Sequence, residues 1–119
     1  MAETNVERAR RGYEAVLRGD LDVIAEMLAP DVRWHGGDPD AEGACRNRGE
    51  ALQFMRRARG VQAELVDVVD AGDQVVVVLD AGGRRVANLT TFRDGKVVEM
   101  VHYPDPDDAL RAAGRTPAA

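Results

Sequence analysis

The chain has 119 residues, a formal net charge of -5, 45% hydrophobic residues and one cysteine, as expected for a single packed domain over residues 1–119. The acidic balance argues against nucleic acid and anionic membranes as partners, and no apolar run is long enough to cross a membrane. One cysteine excludes an internal disulfide, and no signal peptide is visible, so we expect a cytoplasmic protein.

Two helices are predicted at the start of the chain. Thr4 and Glu7 have the spacing of a capping box, and apolar residues then recur at helical spacing. Gly19 is a natural stop for this helix. A second, shorter helix is expected to start at Asp20 and to be ended by Pro30.

A short strand, a long loop and a third helix follow. Residues 32–35 have a strand pattern, whereas residues 36–47 hold three glycines, one proline and three acidic residues with little periodicity. Loops of this length are uncommon unless they are functional. A helix is then expected near Gly49, with these residues facing inward: Ala51, Leu52, Met55 and Ala58.

The second half of the chain reads as an antiparallel meander. Short, turn-like connections separate four strand patterns, and Pro104 and Pro106 break the last of them. A helical turn is expected after these prolines, through Ala109 and Leu110. Helices followed by strands predict an α+β fold in which three N-terminal helices cover a sheet. The predicted strands are residues 61–70, 74–80, 85–93 and 97–103.

The order of these elements resembles the NTF2-like superfamily, and its SnoaL-like branch is the most similar. Two segments carry the resemblance: Arg18-Gly19-Asp20-Leu21-Asp22 between the first helices, and Phe92-Arg93-Asp94-Gly95-Lys96-Val97-Val98 in the last hairpin. The family usually has Gly-Arg-Glu-Ala-Ile before the third helix, and Arg48-Gly49-Glu50-Ala51-Leu52 is similar with its first two residues exchanged. The resemblance implies an NTF2-like cone with a small-molecule pocket, a curved antiparallel sheet and frequent dimerisation.

The catalytic residues of two enzyme types within this superfamily are not reproduced. Tyr13 matches the tyrosine of ketosteroid isomerases, but Gly36 and Thr90 fall where those enzymes carry their two acids. Isomerisation by that mechanism is therefore not expected. The charged set of limonene-type epoxide hydrolases is not evident either, because Asp80 and Arg84 lie at a hairpin turn.

The strand patterns place a candidate site on one face of the sheet. Met100 and His102 share a side of the last strand, and the polar Asn88 and Thr90 align with apolar residues on the strand before it. Imidazole titrates near neutrality and can act as acid or base, so His102 and Tyr13 are the candidate catalytic residues. The candidate ligand-binding residues are Trp34, His35, Asn88, Thr90, Phe92 and Met100.

Each of these residues also has a purely structural interpretation. His102, Asn88 and Thr90 could bond to one another in the core, and Tyr13 could be a packing residue with its hydroxyl at the rim. Trp34 and His35 alternate along a strand, so both cannot face inward unless a bulge turns His35 towards the pocket mouth. Without a bulge, His35 is a surface or edge residue.

Two further residues lie in or after the loop. Cys45 lies close to Arg46 and Arg48, and neighbouring cations are expected to lower the pKa of a thiol. A lone loop cysteine without an assignable base is more often incidental. Phe54 is interpreted as ordinary packing.

The opposite face of the last strands predicts an interface. It is expected to carry Leu89, Val97, Val101 and Tyr103, and nothing after residue 104 looks able to cover them. A large exposed apolar patch usually marks an interaction site, so we expect a two-fold homodimer through this face.

Three functions remain open from the sequence. The first is a SnoaL-like enzyme that performs acid/base chemistry on a small apolar carbonyl compound such as a polyketide. The second is a non-catalytic protein that binds a small ligand in the same pocket. The third is a dimeric protein-interaction module with a solid core. No metal, nucleotide or flavin motif is visible, so no cofactor is expected.

Overall fold

The computed structural model describes residues 3–57 and 63–115. Four helices and five strands form an α+β domain, and the predicted fold class is confirmed. Ala58 and residues 61–62, which the sequence assigned to a helix and a strand, lie outside the described residues. The helices are α1 (Asn5–Leu17), α2 (Leu21–Met27), α3 (Arg48–Arg57) and α4 (Pro106–Ala112). The strands are β1 (Leu28–His35), β2 (Ala63–Ala71), β3 (Gln74–Ala81), β4 (Arg84–Arg93) and β5 (Lys96–Tyr103).

Helix α1 begins at the predicted capping box. The Glu7 amide donates to Thr4 Oγ1 at 3.1 Å, and the Thr4 amide donates to Glu7 Oε1 at 3.0 Å. These two bonds satisfy amides that the first helical turn leaves unpaired. Gly19 follows the helix with φ +80, the left-handed conformation that favours glycine, so both predicted ends of this helix are confirmed.

The sequence suggested that Pro30 ends α2, but Pro30 lies inside β1. The helix already stops at Met27, and β1 starts at Leu28. Strand β1 is at the edge of the sheet, and its pairing with β5 is interrupted between Leu28 and Arg33. Proline is tolerated there because no amide donor is required at that point of the ladder.

The predicted meander is confirmed, but the sheet is mixed. Strands β2 to β5 pair antiparallel in sequence order, and the full order is β1-β5-β4-β3-β2. Strand β1 joins β5 in parallel, where an entirely antiparallel sheet was expected. Turn signals report pairings between neighbouring strands only, whereas a parallel partner distant in sequence leaves no such signal.

Helices α1, α2 and α3 pack on one face of the sheet, which we call the inner face. Strand residues alternate between this face and the outer face, so every second side chain enters the inner core. Met100 faces inward and is only 2% exposed. The inner core also contains Ile24, Met27, Val32, Val75, Val77 and Phe92.

The outer face is partly covered, contrary to the expectation that nothing after residue 104 would cover it. Helix α4 follows the predicted proline break and packs on this face, with Ala109 fully buried. Asp105 caps the helix by accepting a bond from the Asp107 amide at 2.9 Å. The short apolar pattern of this segment was visible in the sequence, but its docking position was not. The outer cluster includes Val76, Val78, Ala87 and Leu89.

A β-bulge reverses the expected orientation of Val97. Thr91 pairs with Glu99 and Phe92 pairs with Val97, so Val98 is an extra residue on β5. Val97 therefore packs into the inner core rather than on the outer face. Strict alternation cannot predict this change, because one inserted residue shifts the facing of every position beyond it.

Within the described part of the chain, no helix has the length and apolar character needed to cross a membrane.

Candidate functional site

A cavity of about 520 Å³ opens at one end of the inner face. Its walls come from the loop of residues 36–47, which we call the cavity loop, from α3, and from all five strands. This volume lies in the range of small-molecule pockets. Of the candidate catalytic and ligand-binding residues, it is lined by Trp34, His35, Asn88 and His102.

An aromatic pair forms one wall of the cavity. The rings of Trp34 and Phe54 meet edge to face, with centroids 4.9 Å apart and planes at 75°. Phe54 is 43% exposed, so its interpretation as ordinary packing is wrong. It stands beside, and not on, the buried stripe of Ala51 and Met55. An aromatic side chain off such a stripe, beside a glycine-rich loop, was the signal that could have identified it.

His102 and Asn88 are the central polar pair of the cavity. They are direct cross-strand partners on β5 and β4, and both line the cavity. Side chains at such positions are close neighbours on one face. Burial lowers the pKa of His102 below that of an ordinary imidazole. Its ring is therefore neutral at neutral pH and is suited to accept a proton.

Two buried polar atoms on the inner face are unpaired. Asn88 is 3% exposed and Thr90 is 1% exposed. Across residues 3–57 and 63–115, Asn88 Oδ1 and Thr90 Oγ1 make no hydrogen bond. The interpretation in which they bond to each other or to His102 is therefore wrong. An unpaired buried polar group costs about 1–3 kcal/mol, so two of them on one face suggest a role other than stability.

Tyr13 lies behind this polar pair, in the packed part of the inner face. Its hydroxyl is 3.8 Å from Met100 Sδ, to which it donates. Burial raises the pKa of Tyr13 to about 12. The phenol therefore stays protonated throughout the physiological range.

The predicted site residues fall into two groups. The first group lines the cavity and consists of Trp34, His35, Asn88 and His102. The second group does not line the cavity but is packed in the inner core, where Met100 and Phe92 are nearly inaccessible to solvent. It consists of Tyr13, Thr90, Phe92 and Met100.

His35 points away from the inner face and lies on the edge strand β1, as expected of an edge residue, but it is buried and not at the surface. The ring is held at both nitrogens. His35 Nε2 lies 3.0 Å from Glu99 Oε2, and the Gly37 amide donates to Nδ1 at 3.0 Å. Since Nδ1 accepts, the ring proton is on Nε2, which donates to the carboxylate. The pairing with Glu99, across a parallel strand contact, could not be foreseen from the sequence.

Cys45 is buried in the cavity wall, and its pKa is not lowered as expected. Burial raises the pKa of the thiol, Glu50 raises it further, and Arg57 lowers it by a smaller amount. Its backbone pairs with that of Trp34: the Cys45 amide donates to the Trp34 carbonyl with an N···O distance of 2.8 Å, and the Trp34 amide donates to the Cys45 carbonyl at 2.9 Å. These two bonds tie the end of the cavity loop to β1.

Comparison with known proteins identifies the same architecture. The profile of the SnoaL-like domain family matches residues 9–100. An NTF2-like protein of Burkholderia thailandensis superimposes with a TM-score of 0.73 at 24% identity, covering 96% of this chain and 99% of that one. A putative polyketide cyclase of Sinorhizobium meliloti gives 0.67 at 22% identity, covering 80% and 92%. A putative ketosteroid isomerase of Kribbella flavida gives 0.69 at 21%, covering 82% and 76%. At these identities the structures share the fold.

One curated protein is also similar in sequence. The formamidopyrimidine-DNA glycosylase of Dinoroseobacter shibae is 34% identical over 80 residues, which are 66% of this chain and 26% of that protein. The matched segment is thus about a quarter of that relative's length.

Proposed function

Because the chain belongs to the SnoaL-like domain family, we propose that it binds a small, largely apolar carbonyl compound in the cavity and performs acid/base chemistry on it. The observation that carries this proposal is the paired placement of His102 and Asn88 in a cavity otherwise lined mainly by apolar and aromatic residues. A few convergent polar groups in an apolar pocket are typical of a small-molecule site.

The proposed chemistry uses the neutral ring of His102 as a general base. His102 removes a proton from the carbon beside the ligand carbonyl, and the Asn88 amide donates a hydrogen bond to the oxygen that becomes negative. The proton returns from the imidazolium to the ligand when the enolate collapses. Tyr13, whose pKa is about 12, remains a neutral hydroxyl in the packed part of the inner face.

The aromatic wall supports a flat apolar ligand. Trp34 and Phe54 present an edge-to-face pair to the cavity, and such surfaces pack well against unsaturated rings. The Sinorhizobium meliloti protein of the same fold is described as a putative polyketide cyclase, which agrees with an enolisable carbonyl compound as substrate.

A non-catalytic binding protein is the second candidate. Glu42 is the one carboxylate in the cavity lining formed by the described residues, and it is exposed on the loop. A cavity lined by two imidazoles and no buried carboxylic acid has less acid/base capacity than a site with a pair of buried carboxyl groups. The third candidate, an interaction module with a solid core, is disfavoured by the 520 Å³ cavity.

β-Tetralone is a suitable probe because it is a compact aromatic ketone with acidic protons beside its carbonyl. Its binding is followed by the fluorescence of Trp34, the single tryptophan, and its proton exchange by NMR in deuterated water. We expect the protein to accelerate deuterium uptake, and His102→Gln to reduce that acceleration by about 100-fold with little loss of binding.

The pH dependence of this exchange gives a second readout. The base form of His102 exists above its pKa, and burial lowers that pKa. The rate is therefore expected to persist into more acidic solution than an ordinary imidazole allows, and to fall only below that point. Binding without acceleration identifies a binding protein; neither binding nor exchange overturns the proposal. The cytoplasmic location and the homodimer stay predictions.

A further inference from the structure

The His35 ring connects three parts of the cavity wall. It belongs to β1, it donates to Glu99 on β5 at 3.0 Å, and it accepts from Gly37 at the start of the cavity loop at 3.0 Å. Strand β5 also carries His102. Only 6% of the His35 side chain is exposed, so the ring is held by these contacts away from bulk water.

The start and end of the cavity loop are fixed by different bonds. At the end, the backbone of Cys45 pairs with Trp34. At the start, Gly37 turns the chain with φ +121, a conformation that side chains rarely adopt. Its amide is bonded to His35 Nδ1. Residues 41–45 between these anchors form one wall of the cavity.

We propose that His35 is a positioning residue for the cavity: the lone pair on its Nδ1 accepts from the Gly37 amide and holds the start of the cavity loop. The bond from Nε2 to Glu99 fixes the ring against β5, so Nδ1 stays directed at the loop.

A second contact reaches the same loop. The guanidinium of Arg33, two residues earlier on β1, lies 3.9 Å from Asp40. Both of these side chains are exposed, so this contact holds the loop less firmly than the bond from the Gly37 amide to the buried His35 ring.

Two substitutions separate the two bonds of the ring. His35→Asn places an amide oxygen where Nδ1 was and can accept from the Gly37 amide as an Asx turn, but it cannot reach Glu99. His35→Gln places an amide nitrogen near the Nε2 position and can donate to Glu99, but it offers nothing to Gly37. The proposal predicts that only His35→Gln loosens the loop at neutral pH.

The readout is alkylation of Cys45, the chain's single thiol, by iodoacetamide in the folded full-length protein. The thiol is largely buried in the cavity wall, so its reaction is expected to speed up when the loop opens. At one neutral pH, we expect His35→Gln to react about tenfold faster than the original chain and His35→Asn to stay within about twofold of it. Equal rates in all three proteins, or equal acceleration in both variants, overturn the proposal.

Two substitutions of Glu99 provide a test that leaves His35 unchanged. Glutamine can still accept a hydrogen bond from Nε2, whereas leucine cannot. Alkylation of Cys45 is expected to stay within about twofold of the original rate in Glu99→Gln and to rise several-fold in Glu99→Leu, where the ring is no longer fixed. Equal rates in these two variants contradict the proposal even if the His35 variants fail to fold. Alkylation needs no ligand, so failure here leaves the β-tetralone experiment unaffected.

Discussion

Asn88 lies between the cavity and the packed core, and it carries a buried polar atom of the kind that a stable core avoids. Its Oδ1 is buried without a hydrogen-bond partner among the described residues, and it neighbours Thr90 Oγ1, which shares that condition. The two positions differ in one respect: Asn88 lines the cavity and Thr90 does not. This difference separates the contribution of a polar group to ligand binding from its effect on stability.

Thr90→Val is expected to raise the free energy of unfolding by about 1 kcal/mol, because it removes an unpaired buried hydroxyl and nearly preserves shape. Asn88→Leu is expected to stabilise to a similar extent but to abolish β-tetralone turnover, whereas Thr90→Val leaves turnover largely intact. Denaturant unfolding and the deuterium exchange assay measure the two effects. A loss of stability in Thr90→Val would show that its hydroxyl is bonded in solution.

The raised pKa of Tyr13 predicts that the protein loses stability in alkaline solution. Its pKa is about 12 in the folded protein, above the ordinary tyrosine value of about 10 in the unfolded chain. Between these values the unfolded chain releases the proton first, so stability falls as the pH rises above about 10. Tyr13→Phe has no such proton. Parallel unfolding curves for the two proteins from neutral to alkaline pH would contradict this assignment.

The orientation and burial of individual side chains could be predicted only in part from the sequence. Alternation on β4 correctly brought Asn88 and Thr90 to the inner face, because that strand has one regular ladder on its β3 side. The same reasoning failed for Val97, which a bulge turns inward. It also failed for the burial of His35, because its partner Glu99 lies on a strand distant in sequence.

At the scale of elements, local signals predicted what local bonds control. The capping box of α1 and the three hairpin turns are confirmed, since each depends on residues a few positions apart. The β4–β5 turn has positive φ at both Asp94, +51, and Gly95, +77. The docking of α4 and the parallel pairing of β1 depend on contacts between distant segments, which no short pattern encodes.

Gly95→Ala tests the hairpin turn. A side chain at φ +77 is strained, and a Cβ there would meet Arg8 at an ordinary 3.5 Å, so backbone strain dominates the cost. We expect the free energy of unfolding to fall by about 1 kcal/mol. Gly36→Ala is the matched control, because Gly36 has no positive φ and open space around it. A similar loss in both variants, measured by urea unfolding, would count against the turn as the cause.

At the scale of the whole molecule, the outer face has to be reconsidered. Val97 is absent from it and α4 covers part of it, so the exposed apolar area is smaller than the sequence suggested. Val101 and Tyr103 remain only half-buried beside the helix. The expected homodimer would use the part of this face that α4 leaves accessible.

Sedimentation velocity over a dilution series tests the dimer directly. We expect a two-fold dimer at micromolar concentration, because half-buried apolar residues on a sheet face favour association. A single species with the mass of one chain, 12.9 kDa, across the series would refute the expectation.

The parallel contact between β1 and β5 also has a kinetic consequence. His35 pairs with Val101, which is far from it in sequence, whereas β2 to β5 are joined in order by tight turns. Closing a long segment costs more conformational entropy than closing a hairpin, and it is therefore slower. We expect the meander to assemble first and β1 to dock late. Trp34 belongs to β1 and lines the cavity. Its fluorescence is therefore expected to report the final stage of refolding, in which the hollow between sheet and loop is enclosed.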